Sequence, residues 1–235
     1  MQSDRARGRQ ILDLWERGVG LDRWRRDDAL LSGAAPPPRR LGERNAALLR
    51  LRNAHFHGAW SMTCACPACD VAVEFEVDSA ILAESLDGLE GAEGGTLSWR
   101  GRLLTARPAT VDDLRAAGAT GNIEAAARML LGRCVSGDID VAALDGAMLE
   151  QLGHELEALD PAAIIAFELV CPDCGHAWPA PIDIAETFWS EVRSHAERLF
   201  LDVDALARAY GWTEDQVLRL SPTRRAAYLQ LAEAS

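Results

Sequence analysis

The sequence predicts an α+β fold, mainly α, and three observations predict it. Two CPxC stretches stand far apart, each flanked by extended chain; a segment between them mixes strand and helix patterns; and the C-terminal third carries apolar residues at helical spacing. Each element follows from its residues.

The two CPxC stretches share a longer frame. Cys66 and Cys69 match Cys171 and Cys174, Pro67 matches Pro172, and Val77, Asp78 and Ala80 stand at the same offset as Ile182, Asp183 and Ala185. After the first pair, Val71, Val73, Phe75 and Val77 alternate with Ala72, Glu74 and Glu76, which reads as a half-buried strand. The second pair sits between FELV and HAWPAPIDI, again a turn between two extended arms. Two β-hairpins tipped by cysteines are therefore expected.

Two cysteines spaced by two residues present both sulfurs to one point while nearby amides donate to them, which is half of a tetrahedral metal site. A second such pair completes it, so Cys66, Cys69, Cys171 and Cys174 are the candidate metal ligands, with zinc as the cofactor. A thioredoxin-type redox pair would open a helix after a strand, and the extended flanks here favour metal over a redox dithiol or a disulfide. About a hundred residues intervene between the pairs, so the zinc ribbon is split and the intervening chain is an insertion that leaves and returns. Four thiolates close the coordination sphere, which makes the expected zinc structural.

Two further cysteines have plainer readings. Cys64 precedes Cys66 by two and could compete as a ligand, but it reads as a strand residue beside the knuckle. Cys134 falls on an apolar helical face with Ile123, Ala126, Ala127, Leu130 and Leu131, where it acts as a small hydrophobe.

Three domains are expected: residues 1–57, N-terminal helices with a proline-rich linker; 58–183, the split ribbon with a helical insertion at 86–165; and 184–235, a C-terminal helical subdomain. The opening helices are ILDLWERG and WRRDDALLSG, and GAAPPPRR at 33–40 is the linker. A helix with Leu48, Leu49, Leu51 and Phe56 leads into the first hairpin; His55 and His57 at its end read as surface or core rather than ligands. Asp78 and Asp183 read as helix caps after each hairpin. ESLDGLEGAEGG reads as a flexible loop and TLSWRGRLLTARP as a strand. Thr110 with Asp113 forms a capping box, Asn122 caps the next helix, and a helix near 145–158 carries Met148, Leu152 and Leu156 before Asp160 and Pro161 end it. From Ala185 a long helix buries Phe188, Trp189, Val192, Ala196, Leu199, Val203, Leu206 and Tyr210 until Gly211 stops it. Thr213 with Gln216, and Ser221 with Pro222, start two short final helices, a pair that also fits any small helical subdomain besides a helix-turn-helix reader of DNA.

Composition narrows the function classes. A net charge of -12 argues against a chain devoted to gripping phosphate backbones. All 24 cationic residues are Arg, with local groups at Arg5, Arg7 and Arg9, at Arg23, Arg25 and Arg26, and at Arg224 and Arg225, each interspersed with carboxylates. No apolar run is long enough for a membrane span and the charged N-terminus has no signal-peptide core, so a cytoplasmic location with reduced thiols is expected. No GxSxG elbow, Walker loop or HExxH is present, and no enzyme activity or small-molecule substrate is expected.

The stretches RPATVDDLRAAGA at 107–119, CPDCGHAW at 171–178 and the tail from Leu206 to Leu231 carry a further likeness. In this order, after amphipathic helices and a CPxC hairpin, they resemble a family encoded beside phage-like contractile tail and injection-system genes, similar to the baseplate hub assembly chaperones of T-even-type phages. The resemblance implies a non-enzymatic role in assembling the baseplate or its hub, protein partners among hub or spike components, and incorporation into the phage-tail-like particle as a second location. It carries over no binding residues. A zinc-ribbon regulator that binds nucleic acid is the alternative.

Overall fold

The computed structural model describes residues 2–33, 36–89 and 91–233, with side chains from Arg7 onward. Ala34 and Ala35 of the proline-rich linker, Glu90 of the acidic loop and the Arg5 side chain lie outside this description. The chain is a mixed α+β structure whose small sheets are all antiparallel. It divides into two units that are interleaved in sequence: one comprises residues 1–32, 54–56 and 185–235, the other 33–53 and 57–184.

The first unit is helical. Helix α1 (Gln2–Gly18) packs on α2 (Arg23–Leu31), whose N-cap Asp22 accepts hydrogen bonds from the amides of Trp24 and Arg25. Gly18 is required by a close approach, because a Cβ there would fall 2.6 Å from the Trp189 ring. Helix α8 (Ile184–Tyr210) buries Phe188, Trp189, Val192, Ala196, Leu199 and Leu206 of the expected stripe, leaves Val203 half-buried, and exposes Tyr210, which stacks on Trp212 at 4.8 Å. Gly211, at φ +68, donates its amide to the carbonyl of Ala207 and ends the helix. The Thr213–Gln216 capping box opens α9 (Glu214–Leu218), and α10 (Pro222–Glu233) follows.

Among the described residues, the strands all fall in the second unit. Helix α3 (Leu41–His55) precedes the hairpin of β1 (Trp60–Ala65) and β2 (Ala72–Val77). Asp78 then caps α4 (Ser79–Asp87), so the ESLD stretch expected in a loop is the end of a helix. Asp78 accepts from two amides there, which the glycines downstream do not disturb. The second hairpin pairs β6 (Ile165–Val170) with β7 (Ala177–Ile182) and is followed by α8.

Between the hairpins, the segment read as one strand is itself a hairpin, β3 (Gly95–Trp99) and β4 (Arg102–Ala106), with β5 (Val135–Ser136) added to its far edge. The reversal occurs at Arg100 and Gly101, both at positive φ (50° and 77°), the two-residue turn whose twist suits a hairpin. The remaining helices are α5 (Val111–Gly118), α6 (Ile123–Cys134) and α7 (Gly146–Glu157), capped by Thr110, Asn122 and Asp145. The three-stranded sheet, α6 and α7 share an apolar core built on Leu97, Trp99, Leu104, Leu131, Leu149 and Leu152. Cys134 is buried in that core, as its helical spacing predicts.

Candidate metal centre

The two cysteine hairpins are built alike, residue for residue. In the first, Trp60 pairs with Val77 and Ala65 with Ala72; in the second, Ile165 pairs with Ile182 and Val170 with Ala177, at the same offsets from the cysteines. Each tip closes in the same way. The Cys66 amide donates to the Val71 carbonyl and the Asp70 amide returns to Cys66, just as Cys171 donates to His176 and Gly175 returns to Cys171, all at 2.8–2.9 Å. The residue after the second cysteine must adopt positive φ to complete the turn, and Asp70 (61°) and Gly175 (73°) both do.

The structure brings all four expected ligands together. The sulfurs of Cys66, Cys69, Cys171 and Cys174 lie within 4.8 Å of one another, although the residues in contact across the hairpins are up to 108 positions apart in sequence. The shortest approaches, Cys66–Cys174 at 3.7 Å and Cys69–Cys171 at 3.6 Å, run between hairpins rather than within one. Four thiolates at about 2.3 Å from a tetrahedral ion have sulfur–sulfur edges of about 3.8 Å, so the observed spacing fits a metal, whereas a disulfide needs about 2.05 Å. All four thiols are free.

Burial is matched in the two knuckles: the first cysteine of each pair, Cys66 and Cys171, is 1% exposed, and the second is open to solvent. Cys66, Cys171 and Val73 form a small apolar cluster against which Trp178 packs, so the inner side of the site is buried and apolar. Phe75 and Phe167 meet at 5.8 Å between the two hairpins. Amides aim at the sulfurs: those of Cys174 and Asp173 at Cys171, that of Val71 at Cys69, and that of His176 at Cys174. The amide of Cys174, acting first, holds the Cys171 thiol down at about 7 against the push of burial. At Cys69 the pull of the Val71 amide is outweighed by the hydrogen bonds of three neighbouring sulfurs and by burial, and the thiol is pushed up to about 12.

The other candidates stand apart. Cys64 lies on β1 opposite Val73, outside the four-sulfur group, and its thiol is raised first by burial and then by Cys66. His55 offers its carbonyl to Arg7 Nε at 2.7 Å, His57 is exposed, and among the described residues neither belongs to a group of three or more candidate ligands.

Sequence reasoning missed the part that positions the site. Helix α3 holds the foot of each hairpin. Toward its N-terminus, Asn45 Nδ2 donates to the carbonyls of Ala162 and Ala163 at 2.8 and 3.1 Å, and the Gly42 amide donates to buried Asp160, just before β6 begins. Toward its C-terminus, buried Arg52 donates to Ser79 Oγ at 2.7 Å and to the Gly58 carbonyl, lies over the Trp60 ring, and is joined by Asn53, which accepts from Ser79 Oγ at 2.6 Å. One helix therefore sets both knuckles. The available signal was chemical: two asparagines inside a helix are disfavoured unless their amides have partners.

A second polar centre lies on the insertion. Asp113, 1% exposed, accepts from both terminal nitrogens of Arg107 (2.6 and 3.0 Å), from Arg133 Nε (2.7 Å), and from the amide and hydroxyl of Thr110 (2.9 and 2.7 Å). Burial pushes its carboxyl upward, but these donors outweigh it and hold the group well below the usual carboxylate range. The capping box was legible; the two arginines that complete it were not.

No helix among the described residues is long and apolar enough to cross a membrane. Comparisons with protein families, curated proteins and solved structures give no match for this chain.

Proposed function

We propose that Cys66, Cys69, Cys171 and Cys174 hold one zinc ion in a closed site, making the two hairpins a split zinc ribbon, and that the chain is a non-enzymatic assembly factor or minor component of the baseplate hub of a contractile, phage-tail-like particle. The observation that carries the metal reading is the convergence of four sulfurs from two matched knuckles. Four thiolates favour a soft or borderline ion, and zinc accepts a tetrahedron without redox chemistry. The assembly reading rests on the resemblance of residues 107–119, 171–178 and 206–231 to the baseplate family, and on a metal centre whose ligands leave no place for substrate. Its setting is the cytoplasm, with incorporation into the particle as a second location, and its partners are hub or spike proteins.

Binding of nucleic acid is the weaker reading. Of the Arg224–Arg225 pair on which that reading depends, Arg224 is exposed but Arg225 is held by Asp202 at 2.7 Å with little exposure, and Arg9 and Arg219 both pair with Asp215.

Two measurements test the proposal. Metal analysis of protein purified without added zinc is expected to give one zinc per chain, and cobalt substitution to give the visible bands of a tetrahedral tetrathiolate; the paired change Cys171→Ser with Cys174→Ser abolishes both. Affinity capture with hub and spike proteins from the same locus is expected to retain at least one of them. A metal-free, fully folded protein overturns the first half, and capture of none of those proteins overturns the second.

A further inference from the structure

An open groove of about 970 Å³ runs between α5, α6 and α7, on the insertion rather than on the ribbon. Its floor is apolar, lined by Leu114, Leu130, Leu131, Leu149 and Leu156. Two isoleucines at its margin are left in water: Ile123 at the start of α6 is 91% exposed and Ile164 is 53% exposed. Apolar surface of this extent, gathered into a concave strip, marks a place where something is buried.

The shape and charge of the strip indicate what. Along α7, Gly146, Glu150, Gly153, His154 and Glu157 follow one face of the helix at the groove edge, and at 1.5 Å per residue its twelve residues span about 18 Å, the length of a three-turn helix. The two glycines keep that edge low, and no atom lies within 4 Å of where their Cβ would be. In a chain with 24 arginines, the fixed charges lining the groove are all carboxylates: Glu124, Glu150, Glu157 and Asp160. Glu124 already holds Arg128 and Asp160 holds the Gly42 amide, while Glu150 and Glu157 stand on the α7 edge beside His154, whose Nδ1 is 3.4 Å from Glu157. A small-molecule pocket would need polar groups converging on its floor, and here, apart from buried Asp160, which accepts the Gly42 amide, the charged groups are exposed on the rim.

We infer that this groove docks an amphipathic helix of a protein partner, its apolar stripe against Leu130, Leu149 and Ile123 and its Lys or Arg side chains along the Glu150–Glu157 edge. The inference rests on the reading of the chain as a partner-binding assembly factor and locates the surface that reading requires.

The test uses the zinc-loaded full chain and a fluorescent designed peptide with leucines at i, i+3, i+4 and i+7 and lysine and arginine elsewhere. A second peptide carries glutamate in place of the cations, and a third scrambles the order. Anisotropy titration is expected to show the basic amphipathic peptide binding at least about tenfold more tightly than the others, with Ile123→Ser and the pair Glu150→Arg with Glu157→Arg each weakening it about tenfold or more. Both variants change exposed side chains, and unchanged zinc content and circular dichroism confirm that they fold. Equal affinity for the three peptides, no binding, or variants that bind as the parent does would overturn the inference. So would a parent dimer that the variants dissociate, which would assign the groove to a second copy. The same variants separate the two proposals in capture with hub and spike proteins. Retention by parent and variants alike removes the groove and leaves the assembly role; peptide discrimination without capture removes the assembly role and leaves the groove.

Discussion

Asp113 concentrates more charge-assisted hydrogen bonding than any cysteine in the chain, and it sits at the joint between the three-stranded sheet and two helices. Arg107 directly follows β4, Arg133 comes from the last turn of α6, and Thr110 from the cap of α5, so the carboxylate fastens three elements. Replacing it by alanine leaves two guanidiniums facing each other with an empty space between them. Both arginines are a little under half exposed, which lets water relieve part of the cost. We expect Asp113→Ala to lower stability by about 2–3 kcal/mol in urea unfolding. The pH dependence has a definite sign. The folded carboxyl titrates below its unfolded value of about 3.9, so its contribution is complete above that value and is lost as pH falls through the folded one. The stability difference between parent and Asp113→Ala is therefore expected to be constant from neutrality down to about pH 5 and to shrink below about pH 4. A difference that grows on acidification would show that another group carries the effect.

At the scale of elements, α3 is the strut that hydrogen-bonds beside both cysteine hairpins, and the proposed zinc site should depend on it. Asn45 is the smallest change that tests this, because its amide makes two hydrogen bonds to the carbonyls that lead into β6 and none to a cysteine. Asn45→Ala should cost about 1–2 kcal/mol and, by letting the foot of the second hairpin wander, weaken zinc retention against a competing chelator while leaving the helix content unchanged. Undiminished zinc retention would mean that the knuckles find each other without α3. What the sequence discloses and what it hides divide along this line. The knuckles, the caps at Asp78, Thr110, Asn122 and Thr213, and the stripe of α8 are local patterns, each complete within a few residues, and they were readable. The turn at Arg100 and Gly101 was local too, but an arginine at positive φ is uncommon and the flanking apolar residues ran together as one strand. The hold of α3 on residues 79 and 160–163, and that of Arg133 on Asp113, join positions 20 or more apart, and Arg107, six residues before Asp113, meets it through no regular helix or strand spacing.

For the whole molecule, the question is how far the influence of the proposed zinc extends. Each cysteine hairpin has only two strands, and an isolated pair is marginal in water. The small cluster of Cys66, Val73, Cys171 and Trp178 and the Phe75–Phe167 contact add little apolar burial. By contrast, the sheet of β3, β4 and β5 with α6 and α7 has a core of its own that contains none of the four cysteines. Structural zinc contributes apparent binding energies of about 10–16 kcal/mol in small peptides. Metal removal should therefore open the hairpins without melting the insertion. Hydrogen exchange of the zinc-loaded chain, with and without a strong chelator under reducing conditions, measures this directly. Peptides covering 60–77 and 165–182 are expected to exchange at least about tenfold faster after chelation, and those covering 97–156 to keep their protection. Uniform loss across 33–184 would show that the ion holds the entire second unit. Unaltered exchange at the hairpins would show that the strands stand without it, and the convergence of the four sulfurs would then need another cause.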